Sequence, residues 1–168
     1  MTTIAGLERT PTPEVLEGAR DLSEALSELI RVVQFRDRDR ACCYDVSVTQ
    51  CYALKAIVDG GALTVNEVAG QLYLDKSTAS RVADALESKG YIRRDRAEED
   101  RRVVLLTATA AGHQLHKRIS ADLVSEYADL LEGVSPEARD AMTRLLGRLA
   151  TTLAARVDTS GGNCCVVK

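Results

Sequence analysis

Apolar residues recur at three- and four-residue intervals along most of the chain, and only one charged stretch breaks to the shorter runs typical of strands. Leu16, Ala19, Leu22, Leu26, Leu29 and Val33 fall on one helical stripe behind a Thr12-Pro13 start, which predicts a long first helix over residues 13–36. Ser47 with Gln50 has the spacing of a capping box and opens a second helix through Cys51, Leu54 and Ile57, stopped by Gly60-Gly61. Thr64 with Glu67 repeats that signature for a short third helix, and Asp75 caps a fourth. In the fourth, Ala79, Val82, Ala85 and Leu86 are expected to face the core, leaving Lys76, Ser77, Ser80, Arg81 and Asp84 outside. Tyr73 and Leu74 are the short link between these two helices, and Gly90 ends the second of them. Tyr91 to Arg94 and Val103 to Leu106 then read as strands around a polar tip, Arg96 to Arg102, too charged to be buried. Beyond the hairpin, Leu115, Ile119, Leu123, Leu130 and Leu131 form a stripe, and Ser135-Pro136 starts a last helix carrying Met142, Leu145, Leu146, Leu149 and Leu153.

Two short helices with a tight link, followed by a charged β-hairpin, make a winged helix-turn-helix, which points to DNA. The predicted fold is mainly α with a small β-wing. The winged helix-turn-helix occupies residues 47–107, flanked by long helical segments at 13–36 and 109–157 in a single domain over 1–157, and residues 158–168 form a flexible, cysteine-containing tail. The terminal helices carry a broader apolar surface than one small winged domain can cover, so a partner is expected to bury it.

The run D-K-S-T-A-S-R-V-A-D-A-L-E-S-K-G-Y-I-R-R resembles the recognition helix and first wing strand of the MarR family of bacterial transcriptional regulators. E-D-R-R-V-V-L-L-T resembles that family's wing signature, with Asp100 and Arg102 at the two positions of its Asp-x-Arg. The resemblance implies that Arg102 enters the minor groove while Asp100 fixes its geometry, and that Ser77, Thr78, Ser80 and Arg81 meet bases and phosphates in the major groove. It also implies a homodimer whose first and last two helices interlock, placing two recognition helices on half-sites of a palindromic operator roughly 34 to 36 Å apart. At Ala97 the chain departs from the family, many members of which carry Pro there, and this implies a more mobile wing tip.

Charge complicates a DNA partner, because the chain carries a net −3 while affinity for phosphates comes from clustered cations. The answer must be local. Lys89, Arg93, Arg94 and Arg96 stand against one acid, Asp95, and Arg101 and Arg102 close the wing. From Asp75 to Arg102 as a whole there are eight basic and seven acidic residues, so modest non-specific affinity is expected, with specificity resting on a few arginines. The candidate DNA-binding set is therefore Lys76, Ser77, Thr78, Ser80, Arg81, Arg94, Asp100, Arg101 and Arg102.

Five cysteines set this chain apart. Cys42 and Cys43 lie in the link after the first helix, and Cys51 sits about 6 Å along the second, leaning back toward that link. Cys164 and Cys165 occupy the tail. A lone Cys51 reads as a small buried hydrophobe, but vicinal pairs off any apolar stripe point to chemistry. Three thiolates suit arsenite or antimonite, Hg(II) or copper(I) fit two or three, and zinc wants a fourth ligand; Cys164 and Cys165 are candidate additional ligands. Thiol oxidation is the rival reading, since two thiols near flexible backbone can close a disulfide with the same mechanical effect. His113 and His116, three apart, share a face but read more simply as solvated.

The function expected is a DNA-binding regulator, a repressor released when its thiols bind a thiophilic ion. The alternatives are release by thiol oxidation or by a small phenolic or aromatic ligand. An enzyme is not expected: there is no C-x-x-C, phosphate-cradling loop or triad, and no catalytic cofactor is called for. No apolar run approaches roughly 18 residues and nothing resembles a signal peptide, so a cytoplasmic protein without membrane partners is expected.

Overall fold

The computed structural model describes residues 11–41 and 44–159. In chain order these form α1 (Pro13–Ala41), α2 (Val48–Gly60), β1 (Ala62–Leu63), α3 (Val65–Gln71), α4 (Lys76–Ser88), β2 (Ile92–Arg96), β3 (Val104–Ala108), α5 (Ala110–Leu130) and α6 (Pro136–Thr159). The fold is mainly α with a small antiparallel sheet in the order β1-β3-β2, a winged helix-turn-helix. Among the described residues no helix is long and apolar enough to cross a membrane.

The chain divides at Val48 into two compact units. The first contains α1, which runs five residues past the expected Arg36 because no Gly or Pro interrupts the alternating charges that follow. Its stripe is not buried: Leu16, Leu22 and Leu29 are all exposed, and Leu26 and Val33 are half-buried.

The second unit has its own aliphatic core. Leu54 and Ile57 of α2, Val68 of α3, Leu86 of α4, Ile92 of β2, Leu106 of β3 and Leu115 of α5 are all but sealed from solvent. Burying each of the larger ones stabilises the unit by roughly 1.5 to 3 kcal/mol. On α4 the buried set is Ala79, Ala83 and Leu86, whereas the expected Val82 and Ala85 are only half-buried. The helical repeat explains this correction: Ala83 lies about 40° from Ala79 around the helix axis, Val82 about 60° and Ala85 about 120°.

β1 was not expected from the sequence. Two residues are too few to show a period, and pairing is what makes them a strand, with Leu63 opposite Leu106 and Ala62 opposite Thr107. Pairing of β2 with β3 likewise shifts the hairpin, since Ile92 opposite Ala108 and Arg96 opposite Val104 carry both strands beyond the runs that marked them. On α5 Leu115 is buried, while Leu130, counted in the same stripe, is exposed at the far end. Ser135 opens α6 as expected, its hydroxyl accepting from the Ala138 N–H at 3.3 Å.

Candidate nucleic-acid interface

Local chemistry builds the helix-turn-helix. At the start of α3 the Glu67 N–H donates to Thr64 Oγ1 at 3.2 Å while Glu67 Oε2 accepts the Thr64 N–H at 2.7 Å, a complete capping box. The Thr64 N–H, and after it the Thr64 hydroxyl donating to the same carboxylate oxygen at 2.8 Å, hold the Glu67 carboxyl below its ordinary value. α3 ends with Leu74 N–H on the Ala69 carbonyl at 2.9 Å and Tyr73 N–H on Gly70 at 3.3 Å. That closure puts Tyr73 at φ 53°, in the left-handed region that a bulky side chain enters at a cost.

Asp75 then caps α4 and organises its first turn. Its carboxylate accepts from the Ser77 hydroxyl at 2.5 Å, from the Thr78 hydroxyl at 2.6 Å and from the Thr78 N–H at 2.9 Å. The Ser77 hydroxyl first, then Thr78, holds Asp75 far below the ordinary carboxylate range, so it stays ionised. Arg81 Nη2 donates to Thr78 Oγ1 at 3.2 Å, which pre-orients the guanidinium along the same face. Lys76, Ser77 and Arg81 are exposed, and Thr78 and Ser80 are half-buried. A cation in the first turn opposes the helix dipole, so Lys76 gains nothing for the helix and is suited to an external anion.

Gly90 ends α4 at φ 75°, with its N–H on Glu87 at 2.8 Å and the Tyr91 N–H on Leu86 at 3.0 Å. Thr109, the N-cap of α5, ties that closure to the next helix. Its hydroxyl donates to the Gly90 carbonyl at 2.6 Å, its N–H to the Tyr91 carbonyl at 3.0 Å, and it accepts from the Gly112 N–H at 3.1 Å. Gly112 is required by proximity: a Cβ there would stand 2.1 Å from the Tyr91 carbonyl oxygen. An isolated Gly in a helical pattern, Thr109-Ala110-Ala111-Gly112, was the available signal for this contact.

At the wing, Asp100 Oδ1 accepts the Arg102 N–H at 2.9 Å and the Asp100 carbonyl accepts the Val103 N–H at 2.9 Å. Ala97 donates its N–H to the Val103 carbonyl at 3.0 Å, a bond that Pro at this position would forgo. Arg101 and Arg102 are exposed, and Lys76, Arg81, Arg96, Arg101 and Arg102 have no ion pair among the described residues.

Arg94 is placed differently from the rest of the expected set. Its Nη2 lies 2.7 Å from Asp84 Oδ1 and its Nη1 bonds Glu87 Oε2, both carboxylates belonging to α4. Partial burial works against the charge, but the Asp84 hydrogen bond and both carboxylates more than offset it, so the guanidinium stays ionised. Its side chain is 27% exposed and turned to the recognition helix, not outward like Arg102. Sequence periodicity placed Asp84 outside but gave no sign of this cross-element bond.

Of the cysteines, Cys51 is half-buried in the first turn of α2. Cys42, Cys43, Cys164 and Cys165 lie outside the described residues. Among the described residues no group of three or more His, Cys, Asp or Glu side chains could hold a metal ion, and His113 and His116 gain no third ligand.

Comparison with known proteins places this geometry. A family model described as MarR family matches residues 44–103. The HTH-type transcriptional regulator YxaD of Bacillus subtilis, itself uncharacterised, is 31% identical over 124 residues, covering 74% of this chain and 87% of that protein. The organic hydroperoxide resistance transcriptional regulator of the same organism is 29% identical over 109 residues, covering 65% and 71%. The structure of Streptococcus pneumoniae FabT in complex with DNA superposes with a TM-score of 0.72 at 25% identity, covering 80% of this chain and 96% of that one.

Proposed function

The chain belongs to the MarR family of DNA-binding transcriptional regulators, and we propose that it acts as a homodimeric repressor gated by its cysteine thiols. It is not an enzyme. The observation that carries the DNA reading is the outward face of the first half of α4, where Lys76, Ser77 and Arg81 are exposed, together with the exposed wing arginines Arg101 and Arg102, unpaired among the described residues. FabT, with a like fold, is seen bound to DNA.

On duplex DNA, α4 of each protomer lies in a major groove and the wing in the adjacent minor groove of a palindromic operator. Because Ser77 and Thr78 direct their hydroxyl protons to Asp75, their oxygens meet DNA only as acceptors for the amino groups of adenine or cytosine, and one lone pair of Thr78 Oγ1 is already taken by Arg81. Arg81 donates to guanine or phosphate, Lys76 and Arg101 to phosphate, and Arg102 enters the minor groove. The dimer is supported by apolar side chains left exposed on α1 and α6, among them Leu22, Leu29, Ile30, Leu145 and Leu153. A single protomer has no other use for so much greasy surface.

For the effector, Cys51 with Cys42 and Cys43, nine and eight residues before it in the sequence, forms the sensing set, and a thiophilic ion such as As(III), Sb(III), Hg(II) or copper(I) shifts the dimer away from the spacing the operator needs. A differential of about 3 kcal/mol between the two spacings weakens binding roughly a hundredfold. Oxidation is the second reading, and the relative named for organic hydroperoxide resistance favours keeping it. The test is duplex binding with arsenite or with peroxide, before and after thiol alkylation. Release by arsenite that Cys51→Ser abolishes is expected. Release by peroxide alone, with no bound arsenic by metal analysis, moves the effector to an oxidant. A variant with all five cysteines changed to Ser that still responds defeats both and leaves a small aromatic ligand.

A further inference from the structure

Asp84 lies on the outward face of α4, two turns beyond Lys76 and about one turn beyond Arg81, with its side chain 60% exposed. Glu87 follows one turn later, 39% exposed. Two bare carboxylates on a helix that meets phosphates would repel them, yet the sequence keeps both. Arg94 spans them from β2, one terminal nitrogen on each carboxylate, in a pairing made across elements rather than along the helix. One guanidinium shared by two carboxylates lowers their summed charge from minus two to minus one and draws their oxygens toward the wing strand. Two of its five N–H donors, one on each terminal nitrogen, are thereby spent on the protein's own helix.

We propose that Arg94 is a positioning residue for DNA binding that acts through Asp84 and Glu87, masking their charge from the phosphates without contacting DNA itself. This rests on α4 and the wing being the DNA-contacting elements. It separates Arg94 from Arg81, Arg101 and Arg102, whose guanidinium groups carry no such ion pair among the described residues.

Masking and contact differ in their salt dependence. A cation that neutralises a phosphate releases a counterion and steepens the fall of affinity with salt, whereas a mask does not. The probe is a fluorescent duplex enriched from a random-sequence library on the wild-type protein, titrated by anisotropy over a salt series. Arg94→Gln should weaken binding about tenfold or more with the salt slope unchanged. Adding Asp84→Asn and Glu87→Gln to Arg94→Gln should restore affinity to within about threefold of wild type, since the charges needing a mask are gone. A slope shallower by about one in Arg94→Gln would make it a phosphate contact and overturn the proposal. So would wild-type affinity in Arg94→Gln, or a triple variant as weak as the single one. Should Arg94→Gln fold poorly, Asp84→Asn with Glu87→Gln carries the test alone: freeing Arg94 should strengthen binding and steepen the slope by about one, and no change in either would overturn the proposal. Failure of the wild-type protein to enrich any duplex would overturn the DNA reading as well, whereas the other failures touch the mask alone.

Discussion

Replacing Gly112 with Ala should destabilise the winged unit, although Ala is the better helix former. The added methyl would sit 2.1 Å from the Tyr91 carbonyl oxygen, 3.0 Å from its carbon and 3.3 Å from Leu54 Cδ1. A carbon and a carbonyl oxygen rest about 3.2 to 3.5 Å apart, so α5 must retreat by roughly 1 Å from the start of β2. Little there can yield. The Tyr91 carbonyl accepts the Thr109 N–H at 3.0 Å, the Tyr91 N–H closes α4, and Leu115, one turn along α5, is sealed in the core. Overpacking against backbone costs about 1 to 3 kcal/mol or more, against a gain of at most about 1 kcal/mol from helix propensity. At 2.1 Å from backbone the upper end of that cost applies, so the net expectation is a loss of about 2 kcal/mol, a fall in thermal midpoint of roughly 4 to 8 °C for a chain of this size. Gly70→Ala supplies the control, because a Cβ at Gly70 meets nothing within 4 Å and the propensity gain should appear undiminished. Thermal unfolding by circular dichroism, at one protein concentration for all variants, reads both. Gly112→Ala as stable as wild type, or more so, would show that α5 does not approach Tyr91 this closely and would refute the reasoning.

Tyr73→Asn should raise stability by about 1 kcal/mol, since Asn tolerates the left-handed backbone that Tyr73 holds at φ 53°; an unchanged or lower denaturation midpoint would deny the strain. Acid should act through the caps. Asp75 is depressed from an ordinary 3.8, so the stability it adds is complete above that value and is lost as pH falls toward the lower folded one. Unfolding midpoints should be level above about pH 5 and decline below about pH 4, more shallowly in Asp75→Asn. Arg102→Ala should weaken duplex binding with an unchanged thermal midpoint, as its exposed side chain packs on nothing in the core. Arg81→Ala should cost about 1 to 3 kcal/mol and relax sequence preference if it reads a base edge; a gel-shift titration against the enriched duplex and a scrambled one distinguishes this from a phosphate contact.

Whatever depends on neighbours in the chain was legible before any coordinates. The Thr64 and Glu67 box, the Asp75 cap, the Gly90 stop and the Ser135 start are bonds between residues two to five apart, and each forms where its spacing predicts. Helical periodicity likewise marked the elements and most of the outward face of α4, because a 3.6-residue repeat is a property of one segment alone. What joins segments was not legible. β1 exists only because β3 pairs with it, Gly112 matters only because Tyr91 lies against α5, and Arg94 turns inward only because Asp84 and Glu87 stand ten and seven residues upstream on a packed helix. Composition counts Arg94 with the wing cations; packing gives its charge to α4. Local hydrogen bonds are decided by sequence separation, but an ion pair between a strand and a helix is decided by how the core sets the two side by side, and that arrangement belongs to the tertiary structure.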